Sequence, residues 1–200
     1  MKEVEAAVKA IRKAGNEKIV LLQCVTNYPS PVADANLNAM AEFARKFKVV
    51  VGYSDHTVGP VGGGDDPLNG LTVPLGSIAL GGLMIEKHFT DDRTRKGPDH
   101  PYAMEGKEFK MMIDSIRALE KAMGDGVKRV MPAEKETVII QRRGIYSTRD
   151  IQPGEKISKD DIEFLRPAVS LRPPEAGKVI GRKAKKLISA GYPISLSDIK

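Results

Sequence analysis

Cysteine occurs once in the 200 residues, at Cys24, and tryptophan does not occur at all. A single thiol excludes an internal disulfide framework and fits a reducing compartment. Apolar residues never run to the roughly 20 that a membrane span requires. The N-terminal stretch M-K-E-V-E-A-A-V-K-A-I-R-K is a charged amphipathic helix pattern, not the uninterrupted apolar core of a signal peptide. These absences predict a soluble, cytoplasmic protein with no membrane partner. Histidine is also scarce, at three residues, so each one calls for an explanation.

The net charge of +6 is unevenly placed. Residues 1–137 hold 19 Lys+Arg against 19 Asp+Glu, and residues 138–200 hold 13 against 7, so the excess sits in the last third. That basic third has only Tyr146, Phe164 and Tyr192 as aromatics and no nucleic-acid motif. Nucleic acid is therefore not expected as a partner, and an anionic small molecule fits better.

Along the chain, Val4, Ala7, Val8 and Ile11 mark a helix closed by Gly15. I-V-L-L-Q-C reads as a strand buried on both sides. Leu37, Met40, Ala41, Ala44 and Phe47 predict a helix over about 33–47, V-V-V-G-Y a second buried strand, and 75–80 a short helix. L-M-I-E-K-H-F predicts a third strand, and 105–123 a helix with Phe109, Met112, Ile113, Ile116 and Leu119 inward. Strands alternating with helices point to a parallel α/β sheet or barrel. Periodicity then fails, giving an α/β domain over 1–124, a linker over 125–137 and a small, mostly β domain over 138–200.

The second domain carries an internal repeat. Ile151, Gly154, Ile157, Ser158, Asp161 and Ile162 recur in register as Ile188, Gly191, Ile194, Ser195, Asp198 and Ile199. The match predicts a pseudo-symmetric module in which each glycine makes a turn and each serine starts a helical turn.

Working residues of parallel α/β folds lie at the C-terminal ends of the strands. Here those ends read V-T-N-Y-P, S-D-H-T and E-K-H-F-T-D-D. Period-two alternation puts Thr26 with Tyr28, Ser54 with His56, and Glu86 with His88 on shared sides. His56 and His88 on neighbouring strand ends could meet over one point and hold a divalent cation. The bland alternative is one histidine at a strand end and one packed in the core. Asp55 faces the other way and suits a hydrogen-bonding partner of a ligand better than a ligand. Ser54 and Thr26 could donate hydroxyls to a phosphate or be satisfied by backbone. Asp99 and His100, in K-G-P-D-H-P, could overhang the same mouth, where Asp99 could accept from substrate hydroxyls or form an Asx turn. The glycine cluster G-P-V-G-G-G-D-D-P-L-N-G lacks the phosphate-loop pattern and reads as a flexible insertion.

C-V-T-N-Y-P-S-P, G-Y-S-D-H-T, I-E-K-H-F-T-D and G-P-D-H, in that order, resemble the sialic acid synthase family, which includes N-acetylneuraminate synthase and its legionaminate, pseudaminate and spore-coat relatives. The tail from about Arg142 is similar to that family's antifreeze-like (SAF) β-clip domain. The resemblance implies the C-terminal part, the last three βα units, of a TIM-type (β/α)8 barrel, beginning at the helix before the sixth strand, followed by the SAF domain. It implies condensation of phosphoenolpyruvate with an N-acyl hexosamine to a nine-carbon 2-keto sugar acid and phosphate. On it, His56 and His88 are catalytic residues and metal ligands for manganese or magnesium. Thr26 and Ser54 lie near the phosphate, and Tyr28 and Asp99 hold the sugar. Arg166 reaches the acyl group of a partner's site, so a homodimer is implied.

The family's earlier strands, with its catalytic glutamates and phosphate-binding lysines, have no counterpart here. A separate N-terminal half-barrel chain is thus a further expected partner. Residues 60–71 lengthen the His56–His88 spacing, and Tyr102, Ala103 and Met104 follow G-P-D-H where the family often has serine. The alternative from another class is a non-catalytic remnant or a binding and dimerisation module. A metal-dependent aldolase would leave the repeat-bearing tail unexplained, and a free ice-binding protein the half barrel.

Overall fold

The structure, a computed structural model, describes all 200 residues, and they divide into two compact units, Met1–Gly126 and Val127–Lys200. In the first unit, three parallel strands lie in the order β1 (Val20–Cys24), β2 (Val50–Asp55), β3 (Met84–Lys87). Helices α1 (Lys2–Lys13), α2 (Ala39–Phe47), α3 (Thr72–Ala79) and α4 (Gly106–Met123) alternate with them. This is the arrangement of a piece of a (β/α)8 barrel.

Helices cover one face of the sheet, and the other is open where its strands begin. Val51 and Tyr53 of β2 pack with Val8, Met40, Phe43, Phe47 and Val73 from the helices. On the opposite face Val20, Val50 and Met84 remain 41%, 42% and 45% exposed. The expectation that the first two strands are buried on both sides is corrected for β1, none of whose residues is buried, whereas β2 is buried from Val51 through Asp55 and open only at Val50. A continuous apolar run fits a barrel strand, but what covers its inner face lies outside these three strands.

The helix expected over 33–47 is also broken. Tyr53 Oη donates to the Ala35 carbonyl at 2.8 Å and Gln23 Nε2 reaches the same oxygen at 3.4 Å. Residues Val32–Asp34 form only a 3-10 turn, Asn36 takes φ 47°, and α2 starts at Ala39. Side chains from the sheet thus hold the carbonyl that a longer helix would use internally.

The expected flexible insertion is pinned. Asp66 is fully buried and accepts from the Leu68 and Thr72 amides and the Thr72 hydroxyl, so it anchors the start of α3. Asp65 accepts from the Val32 amide at 2.9 Å, tying the insertion to the segment after β1.

In the second unit, α5 (Thr137–Gln141) precedes β4 (Gly144–Ser147), which pairs antiparallel with β5 (Ile162–Leu165). The repeat is expressed in the core, the glycine turns and the Ser–Asp contacts, although only Ser195 starts a 3-10 turn, Leu196–Asp198. Ile151 and Ile188 exchange backbone hydrogen bonds, and Ile151, Ile157, Ile188, Ile194 and Ile199 form one core. Gly154 and Gly191 take φ 84° and 72°, the left-handed region a β-carbon disfavours. Asp161 accepts from the Ser158 amide and hydroxyl, as Asp198 does from Ser195. A seventh equivalence emerges only in space: Arg149 pairs with Asp161 at 2.7 Å and Lys186 with Asp198 at 2.9 Å, each basic residue 12 positions before its aspartate.

These contacts set an acid limit. The Ser158 amide and hydroxyl, aided by Arg149, hold Asp161 below the usual carboxylate range. Burial alone would raise Asp198, but Ser195 and Lys186 together bring it below that range. A depressed carboxylate stabilises the fold fully above its unfolded pKa, near 4, and loses that contribution as pH falls through the folded value. Hydrogen-exchange protection of the Ile157 and Ile194 amides, corrected for intrinsic rates, is expected to be flat from pH 7 to 5 and to drop below pH 4. Protection unchanged at pH 3 would contradict this.

Candidate active site

The exits of the three strands converge. Register pairs Cys24 with Ser54, Ser54 with Glu86, and Asp55 with Lys87. Alternation then turns Ser54, His56, Glu86 and His88 to the inner face and Asp55 and Lys87 to the helix-covered face. Beyond β1 the chain is held by the Ser30 amide, which donates to the His56 carbonyl at 3.0 Å. After β3 the Met104 amide donates to the His88 carbonyl at 2.9 Å, drawing the 98–104 loop back over the sheet.

Four rings meet as a result. The Tyr28 ring lies 4.1 Å from His56 and 5.6 Å from His88, the imidazoles are 5.2 Å apart, and Tyr102 is 5.2 Å from His88 and 5.8 Å from Tyr28. Tyr28, His88, Pro98, Asp99 and Tyr102 line a cleft of about 430 Å³. A larger groove of about 600 Å³ runs along α4 past Lys107, Lys110 and Asp114. It carries neither histidine nor a strand end, so the smaller cleft is the candidate site.

The donor set suits a cation. His56 Nδ1 is 2.7 Å from the Val25 carbonyl, which can only accept. Nδ1 must therefore carry the proton, leaving the Nε2 lone pair free for a ligand. Cys24 Sγ lies 3.9 Å from the same nitrogen. His88 Nδ1 is 3.9 Å from Asp99 Oδ2. Two imidazoles this close can share one ion, with its remaining positions open to water or substrate. No group of three or more His, Cys, Asp or Glu side chains with metal-holding geometry forms in the structure, so the candidate ligands are the two imidazoles and not a closed cage.

The other expected residues are placed as follows. Ser54 is buried and donates to Glu86 Oε1 at 2.7 Å. Thr26 is exposed, and with Tyr28 lies beyond the end of β1. Strand alternation therefore does not govern that pair, and the Tyr28 ring reaches His56 through a loop. Asp99 accepts the Tyr102 phenol hydrogen bond. Arg166 is exposed in the second unit, directly after β5. His100 does not join the imidazole pair. Its Nδ1 is 2.8 Å from Thr90 Oγ1, and its ring packs on Gly97, where a β-carbon would fall 2.8 Å from Cδ2. Asp55 touches neither imidazole; its carboxylate holds Thr57 and Lys87.

Two residues of the site are given no role by the sequence. Alternation already places Glu86 on the side of His88, and the structure adds its bond from Ser54. Tyr102 enters only because the loop folds back through Met104, a contact no local pattern encodes. Burial and the Asp99 carboxylate push the Tyr102 phenol up to about 12, so it remains a hydrogen-bond donor across the neutral range.

Residues 1–128 match the NeuB family model and residues 142–200 the SAF domain model. The chain is 37% identical to N,N'-diacetyllegionaminic acid synthase of Campylobacter jejuni, over 92% of this chain and 52% of that protein. It is 39% identical to an uncharacterized protein of Methanocaldococcus jannaschii, over 92% of this chain and 51% of that one. The solved structure of spore coat polysaccharide biosynthesis protein SpsE from Bacillus subtilis superposes on the whole chain, using 58% of its own length, with TM-score 0.53 and 31% identity. The chain thus spans about half the length of the curated relatives it matches.

Proposed function

The chain belongs to the NeuB family, the sialic acid synthases, and from that premise we propose that it serves the condensation of phosphoenolpyruvate with an N-acyl hexosamine. With one water consumed to release the phosphate, the products are a nine-carbon 2-keto sugar acid and phosphate. The observation that carries this reading is the convergence of His56 and His88, framed by Tyr28, Tyr102 and Asp99, at the strand exits.

His56 and His88 hold a divalent cation, manganese or magnesium. Such an ion would supply Lewis-acid polarisation of the sugar's aldehyde oxygen, with the two imidazoles fixing its place at the strand exits. Val25 keeps the His56 tautomer correct for that task. Thr26 and Ser54 lie on the phosphate side, where Ser54 can exchange its Glu86 partner for a phosphate oxygen. Tyr28 packs against the sugar, and Asp99 accepts from its hydroxyls. Arg166 of the SAF unit serves the acyl group in a partner subunit's site, which makes the working form a dimer.

The uncovered inner face of the sheet, with Val20, Val50 and Met84 exposed, supports a working form in which further barrel strands close over it. The test is phosphate release from phosphoenolpyruvate with Mn²⁺ and a panel of N-acyl hexosamines. The chain is assayed alone and mixed with the N-terminal half barrel of a relative. Release only in the mixture would support the proposal and identify the sugar. A folded mixture that releases nothing would overturn it in favour of a binding or dimerisation module.

Tyr102 supplies a finer check in the active mixture. Removing its hydroxyl in Tyr102→Phe leaves Asp99 without its fixed donor, at a cost of roughly 0.5–1.5 kcal/mol. The expected result is a three- to tenfold rise in the sugar's KM with kcat and the phosphoenolpyruvate KM little changed. Equal losses for both substrates would remove Tyr102 from the sugar side.

A further inference from the structure

Beneath the imidazole pair, on the other face of the sheet, lies an ion pair the proposed reaction does not use. The side chains of Lys87 and Asp55 are 2% and 0% exposed, with Nζ 2.5 Å from Oδ2. Lys87 Nζ also donates to the Thr57 carbonyl at 2.6 Å. Asp55 accepts from the Thr57 amide at 2.9 Å and its hydroxyl at 3.1 Å. Gly70 of the 60–71 insertion closes over the ammonium, since a β-carbon there would lie 3.1 Å from Nζ. Both residues flanking His56, Asp55 and Thr57, are therefore tied to the residue that precedes His88.

We infer that Lys87 and Asp55 are positioning residues that set the separation and orientation of the His56 and His88 rings. Stability alone gives little reason for such a pair. Desolvating two charges costs about as much as their attraction returns, and packed apolar side chains serve a core as well or better. Apolar side chains have no directional bond, however. The ammonium fixes two oxygens from the end of β2 against β3, within a single peptide unit of both imidazoles. Metal ligands must be held to a fraction of an ångström by their supporting contacts. The significance of the placement rests on the metal-holding reading of His56 and His88, but the placement itself does not.

The test uses the full chain and the double variant Asp55→Asn/Lys87→Met, which removes both charges and leaves no unpaired buried ion. With three histidines, ring spectra are simple, and His100→Asn identifies the third. The wild type should show a ring-to-ring NOE between His56 and His88. In the double variant, melting should stay near the wild-type temperature while that NOE is lost and affinity for Mn²⁺ alone falls at least tenfold. A variant that retains the NOE, or a wild type that lacks it, would overturn the inference. If the double variant does not fold, Lys87→Gln keeps a donor but loses the charge and reach, and should weaken the same cross-peak. Loss of fold in both would also overturn it, making the pair a requirement of the sheet. A wild type that shows the NOE but binds no Mn²⁺ would sink the metal reading and leave the placement intact.

Discussion

His56→Ala or His88→Ala, each in the mixture with a half barrel, is expected to lower phosphate release by about a hundredfold or more. Changes to residues that merely support metal ligands commonly cost about 10–100-fold, and these two side chains are the ligands themselves in the proposed site. The loss should fall on kcat/KM and resist excess Mn²⁺, because a single remaining imidazole cannot fix the ion. Treatment of the unaltered mixture with a chelator should abolish release, and added Mn²⁺ should restore it. His100→Asn is the control: its ring packs on Gly97 and Thr90 rather than in the cleft, so release should persist. A His56→Ala mixture that turns over within threefold of the unaltered one would remove the metal from the mechanism.

Gly52→Val is expected to have the largest effect on stability. Gly52 sits in the middle of β2, and a β-carbon there would fall 2.2 Å from the Met84 carbonyl oxygen and 2.8 Å from Leu22 Cδ2. The first contact is with backbone and cannot be relieved by a rotamer change, so β2 and β3 must separate or shift. Overpacking of this kind costs roughly 1–3 kcal/mol, occasionally more. A loss at the upper end or beyond follows here because Ser54–Glu86 and Asp55–Lys87 pair on the same two strands. The thermal midpoint of the full chain should fall by about 10 °C or more, and the His56–His88 NOE should vanish with it. A Gly52→Val chain that melts within 2 °C of the wild type would show that the strands are free to adjust.

The glycine illustrates how far local sequence goes. V-V-V-G-Y announces a strand through its apolar, β-branched residues, but nothing in that stretch says why the fourth residue has no side chain. The reason is the neighbouring strand's carbonyl, 32 residues away. The break in the 33–47 helix is similar. Leu37, Met40 and Ala44 keep their period, while Tyr53 and Gln23, distant in sequence, capture the Ala35 carbonyl. Burial of the strands on both sides was expected from their apolar content, yet composition cannot say whether the covering residues are supplied by these three strands.

The sequence by itself determined the alternation of strands and helices, the change of character after residue 124, the 37-residue offset of the SAF repeat, and the polar clusters where His56 and His88 stand. These are local or periodic properties, written in spacing and turn chemistry. Only the tertiary structure decided that Tyr102 completes the ring cluster, that His100 stays out of it, that Asp55 holds Lys87 rather than an imidazole, and that Arg149 and Lys186 are equivalent. Each of those depends on strand register or on a loop folding back across the sheet. A hydrogen bond or a ring contact is set by distances of a few ångströms between segments that the chain itself does not place side by side.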